Sequence, residues 1–266
     1  MSTPDEMGLT PEAANGYEEF FVPAIFDQWP PVLITAAAVS KGDDVLDVGC
    51  GTGVLTRELT QHVGDTGSAT GFDLSESMLD VARSCCPDAT FKQGNVTELP
   101  FDDQSFDVVM SSFMLMFVPD PEKALSEMWR VLRPSGRLVN SVWQGLENNV
   151  VYRDLVEATR EVAGDDSADS MAWPFTMGQA GRLEGIFKSA GIVDVAISEH
   201  DGTARFPSVE DFVATEIQAW LLADSVDEDQ IDAMVKLLRS KYPPFEEATG
   251  LVSIPLNALI GKAIAV

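Results

Sequence analysis

Basic residues are scarce in this sequence. Its 266 residues include 17 Lys and Arg against 43 Asp and Glu, which leaves a formal net charge of −26. Nucleic-acid-binding proteins draw most of their affinity from Lys and Arg that meet phosphates, and anionic membrane surfaces attract basic segments for the same reason. The composition therefore argues against a nucleic-acid partner. Such acidity suits salt-rich surroundings, where like-charge repulsion is screened, and it equally suits an ordinary acidic enzyme.

Cysteine, histidine and long apolar runs are also rare. The three cysteines include the neighbours Cys85 and Cys86, which form a poor disulfide framework, so reduced thiols and a cytoplasmic protein are expected. Residues 1–16 lack the basic and apolar regions of a signal peptide, and the apolar run 108–119 is too short to span a bilayer. No spacing of Cys, His or Asp suggests a metal site. We therefore expect no bound metal, no membrane insertion, and a monomer or homodimer.

Strand and helix signals alternate along the chain from about residue 44. Strands that alternate with helices are typical of a mostly parallel sheet with helices on both faces. The polar stretch 164–170 is predicted to be a surface loop, and 198–202 is predicted to be a turn after a late strand. The predicted strands are 45–48, 69–73, 90–93, 106–111, 137–143, 193–198 and 258–266, and the predicted helices are 54–62, one from Ser75, one from Pro121, 149–162, 178–189, 208–222 and 227–241.

The sequence thus predicts an α/β fold, doubly wound around a mostly parallel, seven-stranded sheet. A single domain is expected over residues 1–266. Residues 1–40 would form an N-terminal helical cap and 41–143 the core of the domain. The segments 144–180 and 208–245 would supply a helical lid over the strand ends and the elements that contact a substrate.

A glycine-rich turn follows the first predicted strand. Gly49, Gly51 and Gly53 stand between that strand and a helix. Glycine lets a backbone turn sharply and approach a ligand without a Cβ clash, and the start of the following helix offers unpaired N–H groups. Asp73 ends the second strand, where a carboxylate can accept hydrogen bonds from the ribose hydroxyls of an adenosine. A tight turn with a structural acid nearby is the simpler alternative.

A dinucleotide-binding loop is the obvious rival interpretation. Its fingerprint, G-x-G-x-x-G, places the third glycine three positions after the second, whereas here Val54 occupies that position and Gly53 precedes it. Asp47 lies two positions before the first glycine and can meet a cationic group. A cation suits the amino-acid end of a ligand better than a pyrophosphate does. A nicotinamide-dependent oxidoreductase stays as a competing hypothesis.

The segment 45–53 resembles the S-adenosylmethionine site of class I methyltransferases, and in particular the broad group that includes ubiquinone and menaquinone biosynthesis enzymes. Four further blocks resemble that family in the same order, namely 71–79, 94–96, 99–109 and 121–138. The resemblance is specific over about 41–143, fades over 144–207 and says little about 208–266. It implies a Rossmann-like fold and a methyltransferase that uses S-adenosyl-L-methionine and releases S-adenosyl-L-homocysteine.

By position, the resemblance implies how the adenosine part of the cofactor would be held. Asp73 would hold the ribose, while Leu74 and Met78 would flank the adenine ring. Asn95 would meet the adenine amino group, and the Val96 N–H would meet a ring nitrogen. The family usually has Asp at position 95. Asn keeps an acceptor oxygen but loses the charge, so a weaker contact is expected.

The resemblance also implies which residues line the methionine part. Gly49, Gly51 and Gly53 would wall it, and Ser111 and Phe113 would lie near the sulfonium. The N-terminal segment from Tyr17 is aromatic and amphipathic, and in similar enzymes such a segment covers the cofactor. Tyr17 would contact the cofactor carboxylate or the substrate, or would simply pack on the core. The implied cofactor-binding residues are therefore Tyr17, Asp47, Gly49, Gly51, Gly53, Asp73, Leu74, Met78, Asn95, Val96, Ser111 and Phe113.

No general base can be identified. Many similar enzymes carry a histidine just after the fourth strand, but 113–118 contains none, and His62 and His200 fall elsewhere. We therefore expect transfer of a methyl group to a small molecule, with O- or C-methylation favoured over N-methylation. A non-catalytic S-adenosylmethionine-binding protein is a further alternative. Aromatic and sulfur side chains that would suit a partly apolar substrate are Phe21, Met116, Trp143, Trp173 and Phe175.

Overall fold

The computed structural model of the chain describes residues 10–219, 226–242 and 251–265. Over those residues strands and helices alternate as predicted. In chain order the strands are β1 (Asp44–Val48), β2 (Ser68–Asp73), β3 (Thr90–Gln93), β4 (Phe106–Ser112), β5 (Leu132–Trp143), β6 (Val195–His200), β7 (Thr203–Phe206), β8 (Val252–Pro255) and β9 (Ala258–Ile264).

The helices begin with an N-terminal series that precedes β1. In it, a ten-residue π-helix over Tyr17–Phe26 separates two α-helices. We call this π-helix the strap. The α-helices are α1 (Pro11–Gly16), α2 (Trp29–Ala37), α3 (Val54–Val63), α4 (Glu76–Cys85), α5 (Pro121–Arg130), α6 (Val150–Ala163), α7 (Asp165–Ala172), α8 (Arg182–Ser189), α9 (Val209–Ala219) and α10 (Glu228–Lys241).

Seven strands form one sheet in the order β3-β2-β1-β4-β5-β9-β6, which confirms the predicted fold class. The pairs β1–β2, β1–β4, β2–β3 and β4–β5 are all parallel. The strand order changes direction at β1, which lies between β2 and β4. In open α/β sheets, ligands bind outside the carboxyl ends of the strands at such a switch point. The topology therefore brings the loop after β1 and the residues after β4 to the same edge.

The centre of the sheet is held by apolar packing. Val45, Leu46 and Val48 of β1 are fully buried, as expected for a central parallel strand that is covered on both faces. Ser75 caps α4 by accepting the Met78 N–H at 3.4 Å, which confirms the predicted helix start. The residues that follow the strand ends are thus attached to a well-packed sheet.

The described residues divide into two compact units. The sheet belongs to the first unit, and the second contains the two-stranded antiparallel sheet of β7 and β8 with helices α6, α7, α9 and α10. In the second unit, the Tyr152 hydroxyl donates to Glu216 at 3.0 Å. The Tyr152 ring packs against the buried rings of Phe175 and Phe212. That the chain acts as a single domain, with this unit as its lid, stays a prediction. The first unit comprises Met1–Val142, Ala180–Glu199 and Leu259–Val266, and the second Trp143–Gln179 and His200–Ala258.

The polar stretch 164–170 is helical, so the expectation of a surface loop is wrong. Gly164, with φ +89°, ends α6, and α7 begins directly at Asp165. Arg160 of α6 forms ion pairs with Asp165 and Asp169. These pairs neutralise acids that would otherwise repel each other, and the opposite face of α7 is buried. A contact between two helices therefore overrides the polar composition.

Several other boundaries differ from the prediction. β5 begins at Leu132, earlier than the predicted strand 137–143. Its register with β4 shifts between Phe106 and Val108. His200 ends β6 instead of lying in a turn. β7 and β8 were not predicted, because four residues carry too little periodicity to distinguish a strand. Parts of the predicted cap 1–40, helix 208–222, lid segment 208–245 and strand 258–266 lie outside the described residues.

No single helix in the described part of the chain is long and apolar enough to cross a membrane. The segments Pro11–Phe26 and Trp29–Ala37 reach that length and apolarity only together, across a bend of 66°. Trp29 and Leu33 of the second segment are nearly completely buried within the protein. Packing in the first unit accounts for these apolar side chains.

The close packing of β2 against its neighbours predicts a selective effect of adding one methyl group. A Cβ at Gly71 would lie 2.6 Å from the Phe91 ring and 2.9 Å from the Cys50 sulfur, whereas a Cβ at Gly185 would meet no atom within 4 Å. We expect Gly71→Ala to lower the free energy of unfolding by about 1–3 kcal/mol. Gly185→Ala, within α8, should raise it by up to about 1 kcal/mol. Urea unfolding followed by circular dichroism measures both, and equal effects of the two substitutions would contradict the described packing.

Candidate functional site

The glycine loop after β1 is the centre of the candidate site. Gly49, Gly51 and Gly53 have φ angles of +71°, +53° and +84°, a region that residues with a Cβ rarely adopt. The N–H groups of Gly49 and Cys50 donate to the Phe72 carbonyl at 2.7 and 3.1 Å. The loop is thus held against the end of β2, which confirms that it is a turn only glycines can make readily.

The three glycines face different surroundings. A Cβ at Gly49 would collide with the Met114 side chain, and one at Gly53 would lie 3.2 Å from the Ala82 Cβ. A Cβ at Gly51 would meet no protein atom within 4 Å. Gly49 and Gly53 are therefore required by the protein itself, whereas Gly51 presents its backbone to open space. A ligand can approach the chain at that point.

Asp73 links the glycine loop to the start of α4. Its Oδ2 accepts the Gly51 N–H and its Oδ1 accepts the Ser75 N–H, both at 2.9 Å. Burial raises the pKa of Asp73 even though these N–H groups oppose the shift. Each carboxylate oxygen has a second lone pair, so the group can also accept hydrogen bonds from a ligand.

Asp47 is the most deeply buried acid near the loop. It is 1% exposed, and its Oδ2 accepts the Thr56 hydroxyl at 2.6 Å. Its Oδ1 has no hydrogen-bond partner among the described residues. Burial, with a smaller contribution from the Asp73 charge, raises the pKa of Asp47 to about 7. A buried carboxyl with an open acceptor fits a cationic ligand group.

The residues after β4 form the adjacent wall. The Ser111 hydroxyl is fully buried and lacks a partner among the described residues. Phe113 has φ +54°, and its N–H is shared between the Ser141 carbonyl at 3.1 Å and the Ser141 hydroxyl at 3.2 Å. A non-glycine residue in this conformation is strained, and such strain clusters at functional sites.

The strap carries a row of aromatic rings. Its π-helical turn, with hydrogen bonds from i to i+5, aligns side chains four and five positions apart. The Tyr17 ring therefore stacks with Phe21 at 5.8 Å and with Phe26 at 5.4 Å between centroids. Phe26 and Trp29 in turn contact Phe113. This row connects the strap to the strained residue after β4.

Tyr17 also lies beside the end of β2. Its ring packs on a buried cluster of Ala14, Met78 and Val81. Burial, followed by the nearby charges of Asp73 and Glu18, raises the pKa of Tyr17. The structure thus places Tyr17 within range of the Asp73 charge and on the first turns of α4, although these residues are far apart in sequence.

The residues predicted to contact adenine are less available to a ligand. The Met78 side chain belongs to the buried cluster on which Tyr17 packs. Asn95 is exposed, and its Oδ1 accepts both the N–H and the hydroxyl of Thr97 at 2.9 Å. The two lone pairs that would serve an adenine amino group are therefore engaged within the turn. Leu74 and Val96 are half-buried beside it, and their roles stay predictions.

The candidate substrate residues are divided between the two units. Phe21 and Met116 belong to the first unit, where Met116 is buried in the turn after β4. Trp143, Trp173 and Phe175 belong to the second. Trp173 is 40% exposed, and the Phe175 ring packs at 5.3 Å on Tyr152 inside that unit. Their contact with a substrate stays a prediction.

The sequence interpretation missed Phe26, Trp29 and the ion pair between Glu18 and Arg57. The pair measures 2.8 Å and joins the strap to α3. Glu18 and Arg57 are far apart in sequence, with most of the predicted cap and β1 between them. Neither residue belongs to a recognisable sequence motif. The aromatic spacing of the strap was visible, but only a π-helix aligns its rings.

Residues 46–140, which include the glycine loop, Asp73 and the end of β4, match the family model of a methyltransferase domain. This stretch of the chain is therefore similar to a methyltransferase domain. The Rossmann-like topology and the three-glycine loop agree with that similarity.

Curated relatives match less than half of the chain. The "Ubiquinone/menaquinone biosynthesis C-methyltransferase UbiE" of Psychromonas ingrahamii is 41% identical over 117 residues, or 42% of this chain and 47% of that protein. The chain thus spans about half the length of the curated relatives it matches.

Solved structures share the fold over most of the chain. The YcgJ protein from Bacillus subtilis has a TM-score of 0.59 at 18% identity, over 90% of this chain and 98% of that one. Phosphoethanolamine N-methyltransferase 2 from Haemonchus contortus, solved with S-adenosylhomocysteine, has a TM-score of 0.62 at 20% identity, over 98% of this chain and 58% of that one. At these identities the likeness concerns the fold alone.

The raised pKa of Asp47 predicts that this residue destabilises the free protein as pH rises. The unfolded carboxyl loses its proton near pH 4 and the folded one near pH 7, so the free energy of unfolding falls across that interval. Asp47→Asn removes this titration and still offers an oxygen to Thr56. We expect the variant to gain stability relative to the wild type between pH 5 and pH 8, by a few kcal/mol at most.

Urea unfolding at the two pH values measures the difference. Asp107→Asn is the matched control, because the Arg133 guanidinium and the Asp44 N–H lower the pKa of Asp107. Its effect should be a loss of stability that hardly changes between pH 5 and pH 8. A constant Asp47→Asn difference over this interval would mean that Asp47 is ionised in the folded protein.

Proposed function

We propose that the protein transfers a methyl group from S-adenosyl-L-methionine to a small molecule, with O- or C-methylation favoured over N-methylation. The carrying observation is the open backbone at Gly51, which donates its N–H to Asp73, together with the free oxygen of the buried Asp47 at the end of β1. These residues offer one acid for a cationic amino group and one for ribose hydroxyls. An ionised Asp47 would repel a pyrophosphate, which argues against a nicotinamide cofactor.

The chain's own residues fit this cofactor. The glycine loop would lie along its methionine part, and Asp73 would accept its ribose hydroxyls. The free oxygen of Asp47 would accept its amino group, and Ser111 and Phe113 would line the side nearest the sulfur. When bound, the cofactor supplies a methyl group that a sulfonium has already activated. What remains for the protein is to orient an acceptor and to exclude water, which can contribute several kcal/mol.

The surroundings of the site support an apolar acceptor that needs little help from a base. Met114, Leu115 and Met116 follow β4, and the last two are buried. His62 contacts the Val39 carbonyl at 3.1 Å near the end of α3, which supports a structural role for this histidine. A carbon or oxygen nucleophile of an electron-rich ring fits these conditions. Quinone-type C-methylation, the activity printed for the UbiE relative, is the specific form we propose first.

Calorimetry with product and with a rival cofactor tests the proposal. We expect the full chain to bind S-adenosyl-L-homocysteine with micromolar or tighter affinity and NADH without measurable heat. Methyl transfer to a panel of hydroquinones and phenols should follow, and Asp73→Ala should abolish it because the ribose contact is lost. NADH binding without S-adenosyl-L-homocysteine binding would overturn the proposal. Tight binding with no transfer across the panel would favour a non-catalytic binding protein.

The open space at Gly51 predicts a loss of ligand binding without a loss of the fold. Gly51→Ala adds a methyl group where no protein atom lies within 4 Å, so the clash falls on the ligand. We expect affinity for S-adenosyl-L-homocysteine to fall at least tenfold. Gly181→Ala is the matched control, since Gly181 also has a positive φ, +74°, and open surroundings. Both variants should lose about 1 kcal/mol of stability, and an equal loss of affinity in both would contradict the assignment.

A further inference from the structure

The strap is fastened to the glycine loop through one arginine. Arg57 Nη1 donates to Glu18 Oε1 at 2.8 Å and to the Thr52 carbonyl at 3.3 Å. Thr52 lies between Gly51 and Gly53 in the loop. The guanidinium of Arg57 therefore contacts the strap and the loop at the same time, from its position in the first turns of α3.

The ion pair is largely shielded from water. The Arg57 side chain is 22% exposed and that of Glu18 is 23% exposed. Glu18 Oε2 is buried without a hydrogen-bond partner among the described residues. Loss of Arg57 would leave the carboxylate partly buried, with the Cys85 thiol at 3.8 Å as its remaining partner, which is costlier than loss of a surface pair.

Consecutive strap residues contact two different elements of the candidate site. Glu18 accepts from Arg57, which also donates to the loop, while Tyr17 packs on Met78 and Val81 of α4. The aromatic row continues from Tyr17 to Phe113 after β4. The strap is thus fastened to the glycine loop and to α4, two elements that would hold the proposed cofactor.

We propose that Arg57 is a positioning residue, which holds the strap on the glycine loop through Glu18 and so sets the rate of cofactor release. The inference rests on the proposed function, because it concerns the same cofactor. It adds that residence time depends on an ion pair that need not touch the cofactor.

Release of S-adenosyl-L-homocysteine tests this role in the full chain. The release rate is measured by displacement in stopped flow for the wild type, Glu18→Gln, Arg57→Gln and the double variant. We expect each single variant to release about tenfold faster. The double variant should be no faster than either single variant, since both remove one interaction. Circular dichroism checks that each variant is folded, and Arg57→Lys, which keeps the charge, should restore most of the wild-type rate.

Arg83→Gln is the matched control. Arg83 pairs with Glu76 and Asp80, both residues of α4, on its surface, and its loss should change release less than twofold. Wild-type release rates in the Glu18 and Arg57 variants, or additive effects in the double variant, would overturn the inference. Failure of the wild type to bind S-adenosyl-L-homocysteine would overturn the proposed function itself, so the two failures are distinguishable.

Discussion

The hydrogen bond from the Gly51 N–H to the Asp73 carboxylate joins the two strand ends on which the site is built. β1 and β2 are parallel neighbours, so their carboxyl ends meet at one edge of the sheet. The same carboxylate holds the first turn of α4 through the Ser75 N–H. Because a Cβ at Gly51 would face open space, the loop is fastened on its protein side and accessible on the other. The remaining site residues are arranged around this fixed point.

The site also contains groups that weaken the free protein. Asp47 keeps a buried carboxyl oxygen without a partner among the described residues, and Phe113 holds a left-handed backbone after β4. Each costs free energy by itself. They persist because the surrounding strands are fully packed, with Val45, Leu46 and Val109 completely buried. Departures from locally favourable structure are expected where a protein binds a ligand.

Because basic residues are scarce, each described arginine ion pair is important for connecting segments of the fold. Arg133 bridges Asp44, which begins β1, and Asp107, which is the second residue of the neighbouring strand β4. Arg130 binds Glu127 and the carbonyls of the loop before β4. Arg57 joins the strap to the glycine loop. In a chain with a net charge of −26, these few cations connect segments that their acidic neighbours would otherwise push apart.

The sequence alone determined the order of strands and helices in the core, the glycine loop and the acid after β2, because periodicity, helix caps and glycine spacing are local signals. It could not show that Thr97 engages the oxygen of Asn95, or that Arg160 draws an acidic stretch into a helix. Only the tertiary structure decided that Tyr17 packs on Met78 and that Glu18 pairs with Arg57. Contacts between residues far apart in sequence depend on how helices pack on the sheet, and no pattern within either segment records that packing.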